Sequence, residues 1–324
     1  MKVVAEEGLA PFFFYYLRSS SNALIPSAEL ETLRRSFLAS AARHLSLEQT
    51  LVQILGTFEE RGVSCLVLKG MALAYLVYPD PATRTMSDID LLIHPHAIGQ
   101  ASEALGQLGY RAVRQYEEYK EELCHFGGEL AFVKTGGPLV ELHWMLEQYE
   151  RLRGLIHIDE ESLWQRAVSY SLNGTQAKAL SAEDQVLTLS IHLGLVHRMK
   201  GVKWLLDIDQ LIRTLGREID GFLLVNRAKQ WGIYRLLCHV LWACQETFHT
   251  PFPAGVKGRA LRGAKGLLGS WLFLDRWQDR FRMLQRVFFP SSDWLRFRYR
   301  LKKEETVLPY RIFHPVRLLF GRLP

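Results

Sequence analysis

The stretch from residue 63 to residue 93 constrains the fold more than any other part of this 324-residue chain. Its pattern predicts two strands separated by a glycine turn, a short helix and a proline-rich loop. The predicted elements are a buried strand at Val63–Lys69, a turn at Gly70, a helix at Met71–Tyr78 and a second strand that carries Ser87-Asp88-Ile89-Asp90. We expect the rest of the chain to pack around this unit.

Two carboxylates mark the second strand of this unit. Successive side chains of a strand point to opposite faces, so Asp88 and Asp90 share one face while Ile89 and Leu91 point into the core. Carboxylates this close repel each other unless a cation lies between them. A divalent metal is the simplest such cation, and hard oxygen ligands favour Mg²⁺ or Mn²⁺ over zinc.

A later hairpin supplies a candidate third carboxylate. Glu129–Lys134 and Pro138–Trp144 have strand patterns, and Gly136-Gly137 between them is a hairpin turn signal. Glu141 and His143 share one face of the second hairpin strand. We expect Glu141 to join the two aspartates from an adjacent strand and His143 to make a structural hydrogen bond.

Helices are predicted before and within this strand region. Ser27 precedes a long segment, Leu30–Phe58, in which apolar residues recur at three- and four-residue spacing. This helix is expected either to pack on the following domain, the simpler interpretation, or to present a docking surface. A shorter helix is predicted at Pro95–Leu108, where Gly109 ends it.

From Tyr149 onward the pattern predicts helices throughout. Ser181-Ala182-Glu183-Asp184 is a capping-box start, and the helix that follows is predicted to run towards Arg198. Within it, His192 and His197 are five residues apart, unlike the four-residue spacing of a helical zinc pair. We therefore expect these histidines to make core or polar contacts rather than to bind a metal.

These patterns together predict an α+β fold with a small mixed β-sheet core, N-terminal helices and a C-terminal helical domain. The predicted segments are an N-terminal helical segment (1–61), a core (62–150), a helical domain (151–275) and a basic, aromatic tail (276–324). A chain of this length can bury a substantial core and divide into two domains.

Composition is that of an ordinary globular protein, with 48% hydrophobic and 23% charged residues. No apolar run reaches the ~18–20 residues of a membrane span. The aromatic run Phe12–Tyr16 follows acidic residues and does not resemble a signal peptide. The four cysteines lack zinc-like spacing and are predicted to be reduced thiols in a cytoplasmic protein: Cys65, Cys124, Cys238 and Cys244.

The positive charge of the chain is concentrated in its last 49 residues. From Arg276 onward there are 12 Lys and Arg against 4 Asp and Glu, a balance of +8, whereas the preceding residues carry 28 against 30, or −2. Aromatic residues alternate with arginines at Trp294–Arg300, and the chain ends with a second apolar stretch at Pro315–Phe320. The tail could bind nucleic acid, which we do not favour, contact an anionic membrane surface or a protein, or pack on the chain itself.

Several of these motifs, in this order, resemble the signature of the DNA-polymerase-β-type nucleotidyltransferase superfamily. The similarity is greatest to its uncharacterised branch with an LKG…R…DIDLL pattern and a later (D/E)LHW strand. It covers roughly residues 50 to 250, and the motifs that carry it are Leu68-Lys69-Gly70, Tyr78-Pro79-Asp80-Pro81, Arg84, Ser87-Asp88-Ile89-Asp90-Leu91-Leu92-Ile93, Glu141-Leu142-His143-Trp144 and the segments Leu180–Asp184 and Lys203–Ile208.

The resemblance implies Mg²⁺-dependent transfer of a nucleoside monophosphate from an NTP, with pyrophosphate as the leaving group. Asp88, Asp90 and Glu141 would be the catalytic, metal-binding carboxylates, because two cations bridged by carboxylates neutralise charge on both sides of an α-phosphate. The acceptor is not specified by the sequence; a small molecule, a peptide or a protein is expected. A toxin-type enzyme directed at RNA or tRNA and a non-catalytic interaction protein are the alternatives.

The resemblance also implies a set of nucleotide-binding residues. Gly70 would let backbone N–H groups at the start of the following helix face the triphosphate, but Met71 stands where the superfamily has Ser or Thr. Lys69 is expected to replace that hydroxyl as a phosphate contact. The remaining candidates are Arg84 and Ser87 in the loop before the aspartates, and Lys203 and Asp207, which either form a surface ion pair or close the nucleotide cleft.

Overall fold

A five-stranded mixed sheet organises the first half of the chain in the computed structural model, which describes residues 2–18, 25–113, 127–146, 152–263, 269–302 and 304–320. The strand order is β1-β2-β5-β4-β3. Strands β2 and β5 are parallel, and the other neighbours are antiparallel. The strands are β1 (Cys65–Val67), β2 (Asp88–Ile93), β3 (Arg111–Ala112), β4 (Glu129–Val133) and β5 (Leu139–His143). The prediction of an α+β fold with a small mixed sheet is confirmed.

The central position of β2 follows from its sequence. After Asp88, which is partly exposed, every residue of the strand is buried. A strand covered on both faces needs such an apolar run, and β2 has it between two neighbours. Asp90 is the one charged residue within this buried run, so its carboxylate requires a partner inside the protein.

Helices cover this sheet and form most of the second half of the chain. The helices of the first half are α1 (Lys2–Glu6), α2 (Ala10–Leu17), α3 (Ser27–Glu60), α4 (Lys69–Leu76) and α5 (Ile98–Gln107). Those of the second half are α6 (Glu160–Gln165), α7 (Ala182–Ile191), α8 (Val202–Leu215), α9 (Gly221–Trp231), α10 (Tyr234–Phe248), α11 (Trp277–Phe288), α12 (Ser292–Tyr299) and α13 (Leu308–Phe320). Among the described residues, no helix is long and apolar enough to cross a membrane.

The long helix α3 packs on the sheet, as the simpler interpretation predicted. Leu47, Leu51, Ile54 and Phe58 recur at four- and three-residue intervals and belong to the hydrophobic core that also contains Ile89 of β2. The three cysteines that the structure describes, Cys65, Cys238 and Cys244, are free thiols, while Cys124 lies outside the described residues.

A β-hairpin interrupts the region that was predicted to be helical throughout. Val168–Leu172 (β6) and Thr175–Ala179 (β7) pair antiparallel around Asn173-Gly174. Both turn residues have positive φ, 47° and 90°, as a tight hairpin requires. The helical prediction was therefore wrong here, and Asn-Gly between two alternating segments was the signal that would have corrected it.

A buried ion pair joins the sheet region to the second half of the chain. Arg84 Nη2 and Nε donate to the Asp207 carboxylate over 2.7 and 3.1 Å, and the Tyr78 hydroxyl donates to the same carboxylate over 2.7 Å. Asp207 is fully buried. A buried carboxylate is tolerated because these donors replace its lost water.

Removing Asp207 should destabilise the protein strongly, because it would leave the Arg84 guanidinium buried without its carboxylate. We expect Asp207→Ala to lower the free energy of unfolding by roughly 3–5 kcal/mol in urea titrations. The control is Glu31→Ala, which breaks an exposed pair with Arg34. Equal and small losses for the two variants would show that the Arg84–Asp207 pair does not hold the two regions together.

Candidate active site

The site begins where β1 passes into α4. The Leu68 N–H donates to the Asp90 carbonyl over 2.9 Å and extends the β1–β2 pairing by one residue. The next residue, Lys69, has φ of +47°, a left-handed conformation that is uncommon for a residue with a side chain. This backbone placement directs the Lys69 ammonium to Asp90. The sequence predicted a turn at Gly70, and the residue with positive φ is Lys69, one position earlier.

Asp90 receives two hydrogen bonds on one oxygen. Lys69 Nζ and His143 Nε2 each lie 2.9 Å from Asp90 Oδ1. His143 is fully buried and uses Nε2 towards Asp90, so it acts as the structural hydrogen-bonding residue expected from the sequence. The cation that the paired carboxylates require is therefore partly supplied by the chain itself, in the form of Lys69.

Glu141 lies beside Asp90 because the two residues are paired in the parallel ladder between β2 and β5. Its Oε2 is 3.7 Å from His143 Nε2. One ligand atom each from Asp90, Glu141 and His143 lies within 4.8 Å of the others, which is close enough for the group to hold a metal ion. The prediction that an adjacent strand delivers Glu141 to Asp90 agrees with this geometry.

The surroundings of Asp90 and Glu141 shift their pKa values in opposite directions. Burial opposes ionisation of Asp90, but Lys69 and His143 outweigh it and hold the pKa of Asp90 well below its usual range. Burial, followed by repulsion from Asp90 and Glu129, raises the pKa of Glu141 to about 8. Without a further cation, the site thus holds one ionised carboxylate and one that retains its proton at neutral pH.

The donor set fits a hard divalent cation. Carboxylate oxygens of Asp90 and Glu141 are the ligands that Mg²⁺ and Mn²⁺ prefer. His143 is committed as a donor to Asp90, so it orients that ligand rather than adding a third. Asp88 is at the partly exposed start of β2 and lies outside the Asp90–Glu141–His143 grouping, although its charge contributes to the raised pKa of Glu141.

Gly70 and Met71 occupy the first turn of α4. A Cβ on Gly70 would lie 3.2 Å from Arg84 Nη1 and 3.3 Å from Met86 Sδ, so glycine permits the close approach of the loop before β2. Met71 is buried in the core, and no side chain caps the start of α4. The N–H groups of this turn remain candidates for phosphate contacts.

Of the remaining predicted nucleotide-binding residues, Arg84 and Asp207 are paired with each other in the interior. Their burial excludes a surface ion pair between Lys203 and Asp207. Lys203 is half-buried, and its Nζ lies 4.4 Å from the centre of the Trp204 ring. Ser87 is exposed immediately before β2. Whether these residues bind nucleotide stays a prediction.

The N-terminal residues brace the loop that precedes β2. The Thr85 hydroxyl donates to the Gly8 carbonyl over 2.9 Å, and the Glu7 carboxylate accepts from the Val202 N–H over 2.7 Å. A Cβ on Gly8 would lie 2.6 Å from Thr85 Oγ1. Residues 7 and 8 thus connect the site loop with the start of α8.

A histidine pair, whose proximity to this site the sequence did not reveal, follows α7. The helix continues as a wider π-turn at His192–Val196, which brings residues five apart onto the same side. His192 Nε2 and His197 Nε2 are 2.9 Å apart, and the His197 ring stacks on Trp204 at 4.8 Å. Burial and the nearby Lys69 charge lower the pKa of His192 well below its usual value. Both histidines thus make the polar and ring contacts expected from the sequence.

Lys69 and His192 also line a common cavity of about 40 Å³ between the sheet and α7. Its other walls are mostly apolar and include Leu68, Leu73, Leu180 and Leu189. The π-turn therefore faces the same interior space as the Lys69 side of the carboxylate cluster.

The chain belongs to a family of uncharacterised nucleotidyltransferases, whose model matches residues 1–249. The match begins at the first residue, so the N-terminal helices belong to the family region, contrary to the expected start near residue 50. No curated protein matches the chain significantly.

Three solved structures show limited similarity to this fold. Two are of the antibiotic-resistance factor ANT(2'')-Ia; the first is a solution structure (TM-score 0.41, 16% identity, 63% of this chain and 97% of that chain). The second is a crystal structure in complex with adenylyl-2''-tobramycin (TM-score 0.41, 18% identity, 57% and 98%). The third is an antigenic nucleotidyltransferase-like protein from Paracoccidioides brasiliensis (TM-score 0.40, 19% identity, 62% and 88%).

The raised pKa of Glu141 predicts a specific pH dependence of stability in EDTA. In the folded protein the Glu141 carboxyl has a pKa of about 8, whereas in the unfolded chain its pKa is near the ordinary value of 4.5. The resulting stabilisation is complete below about pH 4.5 and is lost as the pH rises towards 8. Glu141→Gln should remove this loss and melt above wild type at pH 8; the exposed Glu59→Gln should not. A wild-type advantage at pH 8 would contradict the assigned environment.

Lys69 should stabilise the metal-free protein through its charge. In EDTA at pH 7.5, we expect Lys69→Met to lower the melting temperature, with a cost below the roughly 3–5 kcal/mol of a fully buried pair, because Lys69 is 21% exposed. Mg²⁺ should raise the melting temperature of this variant more than that of wild type, since it would replace the missing charge. The exposed Lys178→Met is the control. Unchanged melting of Lys69→Met would rule out the counter-ion role.

Proposed function

We propose that the protein transfers a nucleoside monophosphate from an NTP to an acceptor molecule and releases pyrophosphate. The observation that carries this proposal is the direct pairing of Asp90 and Glu141 on neighbouring parallel strands, beside the Lys69 ammonium. Two acids on neighbouring strands next to a lysine ammonium suit a reaction in which negative charge develops on both sides of a phosphorus atom. The family to which the chain belongs supports the same reaction class.

A divalent cation, Mg²⁺ or Mn²⁺, is part of this proposal, with Asp88, Asp90 and Glu141 as the residues that would hold it. When bound, the cation would supply charge neutralisation on the phosphate oxygens. The Lys69 ammonium, which neutralises Asp90 in the absence of a cation, would then be free to contact a phosphate oxygen of the NTP. His143 would keep the Asp90 carboxylate in its orientation.

In the proposed reaction, a nucleophilic oxygen of the acceptor forms a bond to the α-phosphorus. The bond between this phosphorus and the oxygen that bridges to the β-phosphate breaks, and its electron pair leaves with pyrophosphate. With a cation bound, the Glu141 carboxyl would have lost its own proton, and the ionised carboxylate would accept the acceptor proton and pass it to solvent. Glu141 suits this step because its surroundings disfavour a permanent negative charge.

The first turn of α4 and the loop before β2 are the proposed triphosphate-binding elements. The uncapped N–H groups near Gly70 and Met71 are donors of the kind that bind phosphates at helix starts. Ser87 and Lys203 are proposed contacts from the loop and from α8. We propose that Arg84 and Asp207 act indirectly, by holding α8 against this loop, because they are hydrogen-bonded to each other.

A non-catalytic interaction protein is the second candidate, because one observation favours it. Met71 is buried where the superfamily pattern has a phosphate-binding hydroxyl, and Lys69 already satisfies Asp90. Such a protein would bind no NTP in the presence of Mg²⁺. The catalytic proposal includes a cytoplasmic location, because NTPs and Mg²⁺ are both present there.

Labelled nucleotides distinguish these functions. Each NTP, labelled at the α- or the γ-phosphate, is incubated with Mg²⁺ and separate small-molecule, protein and RNA fractions of a cell extract. The proposal expects α-label on an acceptor, pyrophosphate release and an acceptor mass increase of one NMP. Label on RNA would make the RNA-directed alternative correct. A mass increase of one phosphate with release of ADP would overturn the reaction class.

Variants of the acids should separate binding from turnover. Glu141→Gln should lower turnover roughly 100-fold or more and leave NTP binding within a few-fold, because the acid on the acceptor side is lost. Asp88→Asn/Asp90→Asn should abolish Mg²⁺-dependent NTP binding in calorimetry. Glu59→Gln, which changes an exposed acid on α3, is the matched control. Unchanged NTP affinity in the double variant would disprove the site assignment.

A further inference from the structure

Two helices of the basic tail present apolar side chains to solvent. On α11 and at its end, Trp277, Phe281 and Phe289 recur at intervals of four and eight residues, and on α13 the exposed apolar side chains are Leu308, Ile312, Phe313 and Val316. These seven side chains are 49–75% exposed. Isolated exposed apolar residues are ordinary, but rows of them on two helices mark an interaction surface.

The opposite faces of both helices are already used for packing. On α11, Met283 and Val287 are buried in a hydrophobic core that contains most of the buried helix residues of the second half of the chain and also Leu66 and Leu92. On α13, His314 is buried, accepts or donates a hydrogen bond with the Tyr299 hydroxyl over 2.9 Å, and contacts the Trp294 ring. These contacts fix each helix to the protein, so the exposed rows are the outward faces of docked helices.

Leu308, Ile312 and Val316 form a single ridge, because residues four apart in a helix lie one above the other. Exposed arginines lie next to this ridge at Arg311 and Arg317. On α11, exposed Arg276 and Arg282 accompany Trp277 and Phe281 in the same way. An apolar row bordered by arginines is the pattern of a helix that lies in a membrane interface.

Charge identifies the kind of partner. The tail from Arg276 carries +8, whereas the rest of the chain carries −2, so an anionic surface would attract this end of the molecule selectively. Single-stranded nucleic acid is also anionic, but its bases bind by stacking on aromatic rings. The exposed rings of Trp277, Phe281, Phe289 and Phe313 could stack on bases, but the aliphatic ridge Leu308, Ile312 and Val316 cannot. All seven side chains can enter the boundary between lipid headgroups and acyl chains.

We propose that the outer faces of α11 and α13 form a peripheral membrane-binding surface for anionic phospholipid. The apolar rows enter the headgroup region, and the flanking arginines contact lipid phosphates. This surface is separate from the carboxylate site and does not depend on the proposed nucleotidyl transfer. Its role would be to place the enzyme at a membrane surface.

The test is flotation of the full chain with vesicles of phosphatidylcholine, alone or mixed with phosphatidylglycerol. We expect binding to the mixed vesicles, weak binding to phosphatidylcholine alone, and weakening by salt. Ile312→Ser/Val316→Ser should reduce binding about tenfold or more, because the buried apolar area is lost. Arg311→Gln/Arg317→Gln should reduce it about fivefold for each charge at low salt.

The matched control is Phe222→Ser/Leu223→Ser, which changes two exposed apolar residues on α9, outside the tail. All variants alter exposed side chains, so unchanged melting temperatures verify that they are folded. Three results would overturn the proposal: no binding to either vesicle, binding that the α13 variants leave unchanged, or a dimer in light scattering that the α13 variants dissociate. Preferential binding of RNA, measured by fluorescence anisotropy, would also overturn it.

Discussion

The charge balance around Asp90 is the interaction on which the candidate site depends. Asp90 lies within a buried run of β2, where an unpaired carboxylate would be strongly unfavourable. Lys69 and His143 both bond to the same Asp90 oxygen and keep it ionised, while Glu141 beside it keeps its proton at neutral pH. The chain therefore compensates the negative charge of Asp90 by itself, whereas Glu141 avoids a second charge by keeping its proton. This division gives the two acids different chemistry although they are direct neighbours in the sheet.

The second half of the chain completes the surroundings of this pair. Asp207 on α8 holds Arg84, which belongs to the loop before β2, and the π-turn after α7 brings His192 to the cavity that Lys69 lines. Both contacts come from helices more than a hundred residues later in the sequence. The sheet thus supplies Asp90 and Glu141, and helices of the second half of the chain form part of the cavity wall and hold the loop before β2. A shift of α8 at Asp207 would therefore move Arg84 and the loop that carries Ser87.

The parts of this arrangement that were predictable from sequence are those with a local pattern. Alternation along Asp88–Ile93 and Leu139–His143 predicted both strands and the shared faces of their acids. The partners of those acids were not predictable, because the contact of Lys69 with Asp90 requires the left-handed φ at Lys69, and the Arg84–Asp207 pair spans 123 residues. The contact between His192 and His197 was also not predictable, because residues five apart in an α-helix point in different directions. The π-turn at His192–Val196 brings the two rings together. The β6–β7 hairpin, in contrast, was predictable from sequence, because Asn173-Gly174 between two alternating segments is a local hairpin signal.

The bracing of the site loop by the N-terminal residues has a consequence for how the molecule folds. The bond between Glu7 and the Val202 N–H joins positions 195 residues apart, and Gly8 lies against Thr85 at the same place. During synthesis on the ribosome, residues 7 and 8 emerge long before α8 and lack the Val202 contact until that helix has been made. Contacts that close such long loops form late, because the chain entropy must be lost before they are gained. The loop before β2 should therefore reach its final position in one of the last folding steps, well after the sheet that bears the two acids.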